Sequence, residues 1–513
     1  MVAHRRLTAP ARSSHRTCST EELNDTVARE TPVYSGPIRL SAPHLVGITE
    51  PGMPGLAWLL VERGSRVSGS ATQDSDAAAA LAKAGARIVL GNDRSHVRAD
   101  MSALVWNSST ASTGPERERA EEMRLPVLQR DEALAMLVDS APASVTVAGS
   151  HSTTTAAVML TSALDHRNPS WVLGAPPAGS VAGHHSGGDL LIADLGPGED
   201  DGPRPEARCF PTVALILNAT ATPAHHQDLD DVLDELEALA RRSSTVVLPT
   251  DDPGACALAD RLAKRSGPRV ITFGEAHDAD VRVVQVVWDG TASHVTVQDA
   301  DSSWYTVIVA MPGRHNALAA AAAFAAGRAL GATAADLAAG ISTRFNGIER
   351  SLTVLGRQAG ITVVDSLARH PAEIAADLKA ARMLTEGNVI AVFEPSGLAR
   401  TMSLGLEMGA QLAAADDVVL LPVHAPQPAS NPEADTGTAA IARAATLNGM
   451  AGHVHAWHTW HATKVGSGVE ELIASLAERG DLVVMMGSGA VERLGPRLLF
   501  HLGSPATPIP ADL

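Results

Sequence analysis

One segment in the first third of the chain restricts the possible fold most strongly. Residues 145–160 read V-T-V-A-G-S-H-S-T-T-T-A-A-V-M-L, an apolar strand followed by a turn of small residues and an apolar helix. This layout is typical of a loop that cradles phosphates on a helix N-terminus. Such loops normally carry a lysine, yet no Lys or Arg occurs between Asp131 and His166. The sequence therefore predicts the scaffold of a nucleotide site without its main cation.

Strand and helix patterns alternate on both sides of this loop, which predicts open parallel α/β domains. Within this pattern the charged stretch Glu116 to Arg124 and the Ala-rich stretch Asn316 to Leu330 read as helices. Residues Val281 to Val309 alternate apolar and polar side chains and predict an antiparallel section. The Pro- and Asn-containing stretch Pro422 to Thr438 reads as a loop.

Size and composition limit the class of protein. At 513 residues, 45% of them hydrophobic, the chain is expected to form several soluble domains. A net charge of -17 argues against a general nucleic-acid binder. The scattered Cys18, Cys209 and Cys256 indicate a reducing compartment. With no apolar run of transmembrane length and no signal-like N-terminus, the expected location is cytoplasmic.

Beyond the loop, the order of motifs resembles that of the Mur ligases, in particular the UDP-N-acetylmuramate–L-alanine ligases (MurC type). The resemblance covers roughly residues 40–503 and rests on a series of short motifs. These are H-L-V-G-I at 44–48, V-S-G-S at 67–70, D-D-P-G at 251–254, G-R-H-N at 313–316, F-N-G at 345–347 and H-P-A-E at 370–373.

The resemblance implies three α/β domains: a Rossmann-like N-terminal domain, a P-loop-type central domain and a Rossmann-like C-terminal domain. The expected ranges are a disordered basic tail at 1–39, a UDP-precursor-binding-like domain at 40–140, an ATP-binding-like domain at 141–350 and an amino-acid-binding-like domain at 351–513. In this family ATP and Mg²⁺ drive the joining of L-alanine to UDP-N-acetylmuramate through an acyl phosphate.

The resemblance also implies binding residues. The nucleotide candidates are Gly149, Ser150, His151, Thr154, Thr155, His315 and Asn316, with Thr154 as a possible Mg²⁺ ligand. The candidates for the UDP precursor are Gly47, Gly52, Gly55 and Ser70. Those of the C-terminal domain are Arg350, His370 and Arg400.

Several positions depart from the family motifs where the chemistry is done. Thr153 stands at the position of the loop lysine, Pro197 at that of a metal-binding glutamate and Pro223 at that of a histidine. Arg369 stands where the motif DDYAHHPTE has its first histidine. Glu50 and Pro51 replace small residues of the first Gly-rich turn, adding a negative charge and removing a backbone donor.

These departures favour a folded MurC-like protein with impaired catalysis, a pseudoenzyme that regulates or scaffolds cell-wall synthesis. Its expected partners are other Mur ligases or UDP-N-acetylmuramate. The alternative is an active but divergent ATP-dependent ligase that uses relocated Arg residues and Glu199. A UDP-sugar-binding module without ATP is the third possibility, and the Thr49-Glu50-Pro51 turn argues against it.

Overall fold

The computed structural model describes residues 39–50, 52–107, 114–196, 209–221, 228–290, 292–424, 433–448, 453–456 and 468–503. Residues 1–38 of the predicted tail therefore lie outside the described residues, as do Pro197, Glu199 and Pro223. Within these residues the chain forms three sheets flanked by helices, which confirms the predicted α/β class. No helix among them is both long and apolar enough to cross a membrane.

The first sheet is parallel throughout, with strand order β3-β2-β1-β4-β5. Its elements are β1 Pro43–Val46, α1 Met53–Glu62, β2 Ser68–Ala71, α2 Asp76–Ala84, β3 Arg87–Leu90, β4 Ala103–Trp106, α3 Pro115–Glu122, β5 Val127–Gln129 and α4 Arg130–Ser140. The predicted helix Glu116 to Arg124 is two residues too long at its end. Arg124 has φ 56°, a left-handed conformation that a helix cannot include.

The second sheet has ten strands in the described part of the chain, in the order β15-β14-β13-β12-β11-β10-β6-β9-β7-β8. Its first half comprises β6 Ala143–Ala148, α5 Thr153–Ala163, β7 Ser170–Val172, β8 Gly183–His184, β9 Leu190–Asp194, β10 Val213–Ile216 and α6 Leu229–Arg242. Its second half comprises β11 Thr245–Pro249, α7 Pro253–Ala263, β12 Arg269–Gly274, β13 Val281–Trp288, β14 Ser293–Gln298, β15 Trp304–Val309, α8 Arg314–Ala329 and α9 Ala334–Arg344. β13, β14 and β15 pair antiparallel, as the alternating pattern predicts.

We call each sheet together with its flanking helices a unit, and helix α8 is the main apolar element of the second unit. Every residue from Ala319 to Gly327 is buried, and the helix packs against α5 and the neighbouring strands. Because seven of these nine residues are alanine, the helix lies close to its neighbours with little side chain between them. The Ala-rich stretch is therefore a helix, as predicted, and it lies in the core.

The third sheet has the order β16-β17-β21-β18-β19-β20, with β16 as an antiparallel edge. Its elements are β16 Ser351–Gln358, β17 Ile361–Ser366, α10 Pro371–Ala381, β18 Val389–Glu394, α11 Leu398–Leu412, β19 Asp417–Leu420, α12 Glu433–Leu447, β20 Val454–Ala456, α13 Val469–Leu476, β21 Leu482–Gly487 and α14 Val491–Gly503. The prediction of a loop from Pro422 to Thr438 is wrong in its last part, since α12 begins at Glu433. The buried Ile441 and Ala445 lie four residues apart on α12 and give it a core-facing side.

Candidate functional site

The loop between β6 and α5 is held in place by one side chain of the adjacent strand ending. The amide oxygen of Asn218, after β10, accepts hydrogen bonds from the backbone N–H groups of Ser150 (2.7 Å) and His151 (3.1 Å). Its amide nitrogen donates to the carbonyl of His151 at 3.0 Å. At Gly149, with φ 150°, an added Cβ would lie 3.2 Å from this Asn218 oxygen. The loop is therefore rigid and close-packed.

The last loop residues adopt the conformation that presents backbone N–H groups at a helix N-terminus. Ser152 precedes α5 with φ 62° and ψ 14°, a left-handed conformation that favours glycine. Thr153 is the first residue of α5, is 1% exposed, and its hydroxyl has no hydrogen-bond partner. A phosphate bound to the described loop residues would therefore meet the N-terminus of a helix but no positively charged side chain.

Thr154 is bound to an acidic side chain at the end of β9. Its hydroxyl donates to Asp194 Oδ2 at 2.6 Å, and the N–H of Gly174 donates to the same oxygen at 3.0 Å. Asp194 Oδ1 accepts from the N–H of Gly196 at 3.0 Å, and Asp194 is fully buried. The Asp194 carboxylate thus accepts three hydrogen bonds, while the hydroxyl oxygen of Thr154 can still accept one.

At this end of the loop Mg²⁺ would find one hydroxyl and one carboxylate, those of Thr154 and Asp194, with water and phosphate oxygens as its other ligands. Mg²⁺ demands oxygen ligands in near-octahedral geometry, usually including one or two carboxylates. Among the described residues, no group of three or more His, Cys, Asp or Glu side chains is placed to hold a metal ion. The loop backbone fits a phosphate, whereas Thr154 is the only predicted metal ligand and has Asp194 as its bonded neighbour.

A cavity of about 190 Å³ opens beside the loop, where elements of all three sheets meet. Six positions predicted from the sequence line it: Gly52, Thr153, Thr154, Thr155, His315 and Arg350. Gly47, Gly55, Ser70, Gly149, Ser150, His151, Asn316, His370 and Arg400 are not among its lining residues. The structure therefore brings together the N-terminus of α5, the start of α8 and the first residues of the third unit.

The cavity lining also includes residues that the sequence analysis did not choose as binding candidates. The charged ones are Arg130, Asp131, Asp194, Glu349, Arg369, Glu373 and Asp377. Several of them follow the carboxyl end of a parallel strand, where open α/β sheets bind their ligands. Applied to the sequence, this rule could have identified Arg130, which follows β5, and Asp194, at the end of β9, as binding candidates.

Three histidines lie near the loop, all with a pKa below the ordinary value. The rings of His151 and His370 stack with centroids 5.9 Å apart. Burial lowers the pKa of both, and burial together with the neighbouring His151 lowers the pKa of His315 to about 4. These side chains are consequently neutral near pH 7 and do not replace the missing lysine charge.

Two carboxyl groups of α10 complete this region. Glu373 caps its own helix by accepting from the backbone N–H groups of Arg369 (3.1 Å) and His370 (3.2 Å). Burial raises the pKa of Asp377 to about 7, although its hydrogen bond from Ser366 at 2.6 Å opposes this shift. His370 acts as the N-cap, its Nδ1 accepting from the N–H of Ala372 at 3.2 Å.

The predicted precursor-binding residues have internal contacts. Gly47 and Gly52 take positive φ values of 68° and 79°, and Gly52 precedes α1. An added Cβ at Gly55 would lie 2.8 Å from the carbonyl of Leu173, so this glycine allows α1 to approach the second unit. Ser70 is 3% exposed and donates to Glu116 at 2.8 Å.

Glu116 is fully buried and connects two histidines as well as Ser70. Its Oε1 lies 3.3 Å from His44 Nε2 and 2.7 Å from His96 Nδ1. Burial works to raise the pKa of Glu116, but the hydrogen bond and charge of His44, with the bonds from His96 and Ser70, outweigh it and lower the pKa. This polar cluster was not identified from the sequence, because its members are far apart in the chain.

A phosphate-type loop, a three-sheet α/β architecture and a cavity between the three units define the class of protein. Family models match in three parts: the Mur ligase family catalytic domain at residues 43–141, the Mur ligase middle domain at 202–327 and the Mur ligase glutamate ligase domain at 350–489. The chain belongs to the Mur ligase family.

Within this family the chain is similar to several UDP-N-acetylmuramate–L-alanine ligases. It is 36% identical over 476 residues to that ligase of Streptomyces griseus, covering 91% of this chain and 98% of the relative. The ligase of Streptomyces coelicolor is also 36% identical, with the same two coverages. The crystal structure of MurC from Thermotoga maritima matches with a TM-score of 0.70 at 19% identity, covering 90% of this chain and 98% of the other. The murein peptide ligase of Psychrobacter arcticus also gives 0.70, at 20% identity and with coverages of 91% and 100%.

Proposed function

We propose that this protein is a MurC-type member of peptidoglycan precursor synthesis that has lost most ligase turnover and acts as a regulatory or scaffold protein. The observation that carries the proposal is Thr153, which is buried at the head of α5 with an unpaired hydroxyl where the resemblance places the loop lysine. The neutral histidines around it leave the loop without a cation of its own.

The expected loss of rate follows from the chemistry of acyl phosphate formation. Phosphoryl transfer is catalysed mainly by positioning and by neutralising the charge that develops on the transferred group. Removing one such donor typically lowers the rate by about 10²–10³. Three donors already take up most of the roughly four acceptor sites of the Asp194 carboxylate beside Thr154, which leaves this carboxylate less able to bind Mg²⁺. The effects do not simply add, but together they oppose turnover.

The proposal is tested by phosphate release from ATP in the presence of Mg²⁺, UDP-N-acetylmuramate and L-alanine. The matched control is the Streptomyces griseus ligase, assayed under identical conditions. We expect a rate at least about 10²-fold below the control. A rate close to that of the control would show that other residues perform the chemistry.

The second candidate function is an active, divergent ATP-dependent ligase. The bond between Thr154 and Asp194 favours it, since this pair places a hydroxyl oxygen at the helix end beside the cavity. The identity to relatives that are named as ligases also favours it. This function predicts Mg²⁺-dependent amide formation that is abolished by Thr154→Ala and unaffected by the exposed substitution Ser403→Ala.

The regulatory role requires a partner, for which we propose an intact Mur ligase in the cytoplasm. Binding is measured by analytical ultracentrifugation of the two purified full-length chains. A complex supports the scaffold role, whereas independent sedimentation of both proteins at micromolar concentration contradicts it. We also propose that the chain divides into a basic tail at 1–39 and three domains at 40–140, 141–350 and 351–513.

A further inference from the structure

One carboxyl of the cavity wall, that of Asp377, lies outside the short motifs that carry the family resemblance. In the motif DDYAHHPTE, Asp365 stands at the first aspartate and Ser366 at the second, so this segment has one carboxyl fewer. Asp377 lies on α10, and its Oδ2 accepts a hydrogen bond from the Ser366 hydroxyl at 2.6 Å. The structure therefore returns a carboxyl to the place where the motif loses one.

The two oxygens of this carboxyl have different surroundings. Oδ2 is held by Ser366, whereas Oδ1 has no hydrogen bond among the described residues. The imidazole Nε2 of His315 lies 3.9 Å from Oδ1, which is too far for a hydrogen bond. Asp377 is 8% exposed and lines the same cavity as Thr154. One oxygen thus orients the group, and the other is left to interact with a ligand.

The nearest groups keep Asp377 close to half ionisation at neutral pH. Burial raises its pKa to about 7, the hydrogen bond from Ser366 opposes this shift, and the charge of Glu373 one turn earlier on α10 adds to it. His315 is neutral at this pH because its own pKa is about 4. Asp377 can therefore both take up and release a proton near pH 7.

Other charged groups of the cavity wall belong to the first turns of neighbouring elements. They are Arg130, Asp131, Asp194, Glu349, Arg350 and Arg369. Arg130 pairs with Asp131 at 2.6 Å, and Arg350 pairs with Asp365 at 2.9 Å. The pKa of Asp377 is set locally, by burial, by Ser366 and by Glu373.

A buried carboxyl with these properties suits proton transfer to and from a ligand. A general base works best when its pKa lies near the working pH, and enzymes raise carboxyl pKa values by burial for this purpose. An amino group attacks an acyl carbon only as the neutral amine, yet near pH 7 an α-amino group is largely protonated. A base beside the attacking nitrogen is therefore needed.

We propose that Asp377 is the proton acceptor of the cavity and that Ser366 is its positioning residue. Oδ1 takes one proton from the ammonium group of the incoming amino acid. The N–H electron pair stays on the nitrogen, so the products of this step are a neutral amine and a protonated Asp377. The inference goes beyond the proposed function and rests on it in one respect, namely that the residual ligation takes place in this cavity.

The first test is the pH profile of residual amide formation by the full-length protein with ATP, Mg²⁺, UDP-N-acetylmuramate and L-alanine, with the product quantified by mass spectrometry. The wild-type rate should rise with a midpoint near pH 7. Asp377→Asn should lower the rate by about 10²-fold or more and abolish this midpoint. Ser366→Ala should move the midpoint to higher pH, because the lost hydrogen bond favours the ionised form. The exposed substitutions Asp74→Asn and Ser403→Ala are the controls and should keep the wild-type profile.

The second test replaces L-alanine by hydroxylamine, which is already a neutral amine at pH 7. Its capture of the acyl phosphate as a hydroxamate needs no base. Asp377→Asn should therefore form hydroxamate at the wild-type rate while it loses amide formation. A substitution that merely damaged the cavity would lower both rates together.

Three results would overturn the inference. They are a wild-type rate and midpoint in Asp377→Asn, equal losses of amide and hydroxamate in that variant, and no amide or hydroxamate from the wild type. The proposed function is judged separately, by the wild-type rate relative to the Streptomyces griseus ligase. A fast rate that depends on Asp377 would refute the proposed function and support this inference, whereas the absence of any product would do the reverse.

Discussion

At the scale of single residues, Ser152 has the conformation of a glycine without being one. A left-handed backbone costs a residue with a Cβ about 1 kcal/mol compared with glycine. Its φ of 62° is nevertheless maintained, because Asn218 fixes the preceding loop residues. The loop thus has the geometry of a phosphate loop at an energetic cost, with a threonine, Thr153, as the residue after Ser152.

Ser152→Gly should therefore raise the free energy of unfolding by about 0.5–1 kcal/mol, measured by urea denaturation. The control is Ser403→Gly in the exposed part of α11, where the helical backbone makes glycine unfavourable by a similar amount. The expectation fails if both substitutions destabilise the protein equally.

Two buried groups give stability opposite dependences on pH. The pKa of His315 is about 4, below the ordinary 6.5, so its contribution is complete above pH 6.5 and is lost as the pH falls through 4. The pKa of Asp377 is about 7, above the ordinary 3.8, so its contribution is complete below 3.8 and is lost as the pH rises through 7.

Asp377→Asn should remove the alkaline part of this dependence. Between pH 6 and pH 8 Asp377 should cost the wild type about 1 kcal/mol of unfolding free energy, and the variant should be spared this loss. The variant keeps the similar loss that comes from Glu394, because burial raises the pKa of that carboxyl to about 7 as well. Urea denaturation at each pH gives the comparison, with the exposed substitution Asp74→Asn as the control that keeps the wild-type slope. An identical slope in Asp377→Asn would assign the dependence to another group.

Individual residues of the site could be predicted from the sequence where they belong to a short local motif. Thr153, Thr154, His315 and Arg350 could be chosen from motifs, and the structure places all four on the cavity wall. Arg369 was noted only as a departure from a motif. Its position on the cavity wall depends on how the third unit packs, which no local pattern encodes.

At the scale of elements, the joint between the first two sheets depends on backbone contact. Helix α1 packs against β7 and β8 of the second sheet. The backbone of Gly183 in β8 lies so close to Gly55 in α1 that a Cβ at Gly183 would overlap the Gly55 carbonyl oxygen. Neither main chain can move away without opening this joint.

Gly183→Ala should accordingly destabilise the protein by about 3 kcal/mol, seen as a lower urea midpoint. Gly267→Ala is the matched control, because its added Cβ would meet its nearest atom, Arg241 Nη1, at an ordinary 3.5 Å. Equal midpoints for the two variants would mean that the joint is able to relax.

Strong local signals located the helices well. The bounds of α6, Leu229 to Arg242, follow from such signals, because Asp228 caps its start and its apolar residues recur at helical spacing. The start of α12 was missed because the Pro and Asn residues before it suggested a longer loop. Strand order and the pairing of distant segments could be obtained only by the resemblance, since they depend on long-range contacts.

At the scale of the whole molecule, one arginine stands where the chain passes from the second unit into the third. Arg350 has φ 61° and its side chain is 20% exposed, while its partner Asp365 is 9% exposed. The same guanidinium reaches Glu492 and the carbonyl of Gly487. Three separate segments of the third unit are thereby fixed next to the connection.

Arg350→Ala should lower the unfolding free energy by about 2–3 kcal/mol, because it leaves a buried carboxylate unpaired. Arg98→Ala removes an exposed pair with Asp100 and should cost less than about 1 kcal/mol. Thermal denaturation of both variants provides the measurement. If Arg350→Ala lowers the unfolding free energy no more than Arg98→Ala does, Arg350 does not stabilise the connection between the second and third units.

The Ala-rich core of α8 has a genetic consequence. A single nucleotide change in an alanine codon yields only Val, Thr, Ser, Pro, Gly, Asp or Glu, and in this buried helix each of these adds volume, polarity or backbone freedom. The run from Ala319 to Ala326, interrupted only by the buried Phe324, is therefore a segment of the gene in which most single-nucleotide changes that alter the residue are expected to destabilise the protein.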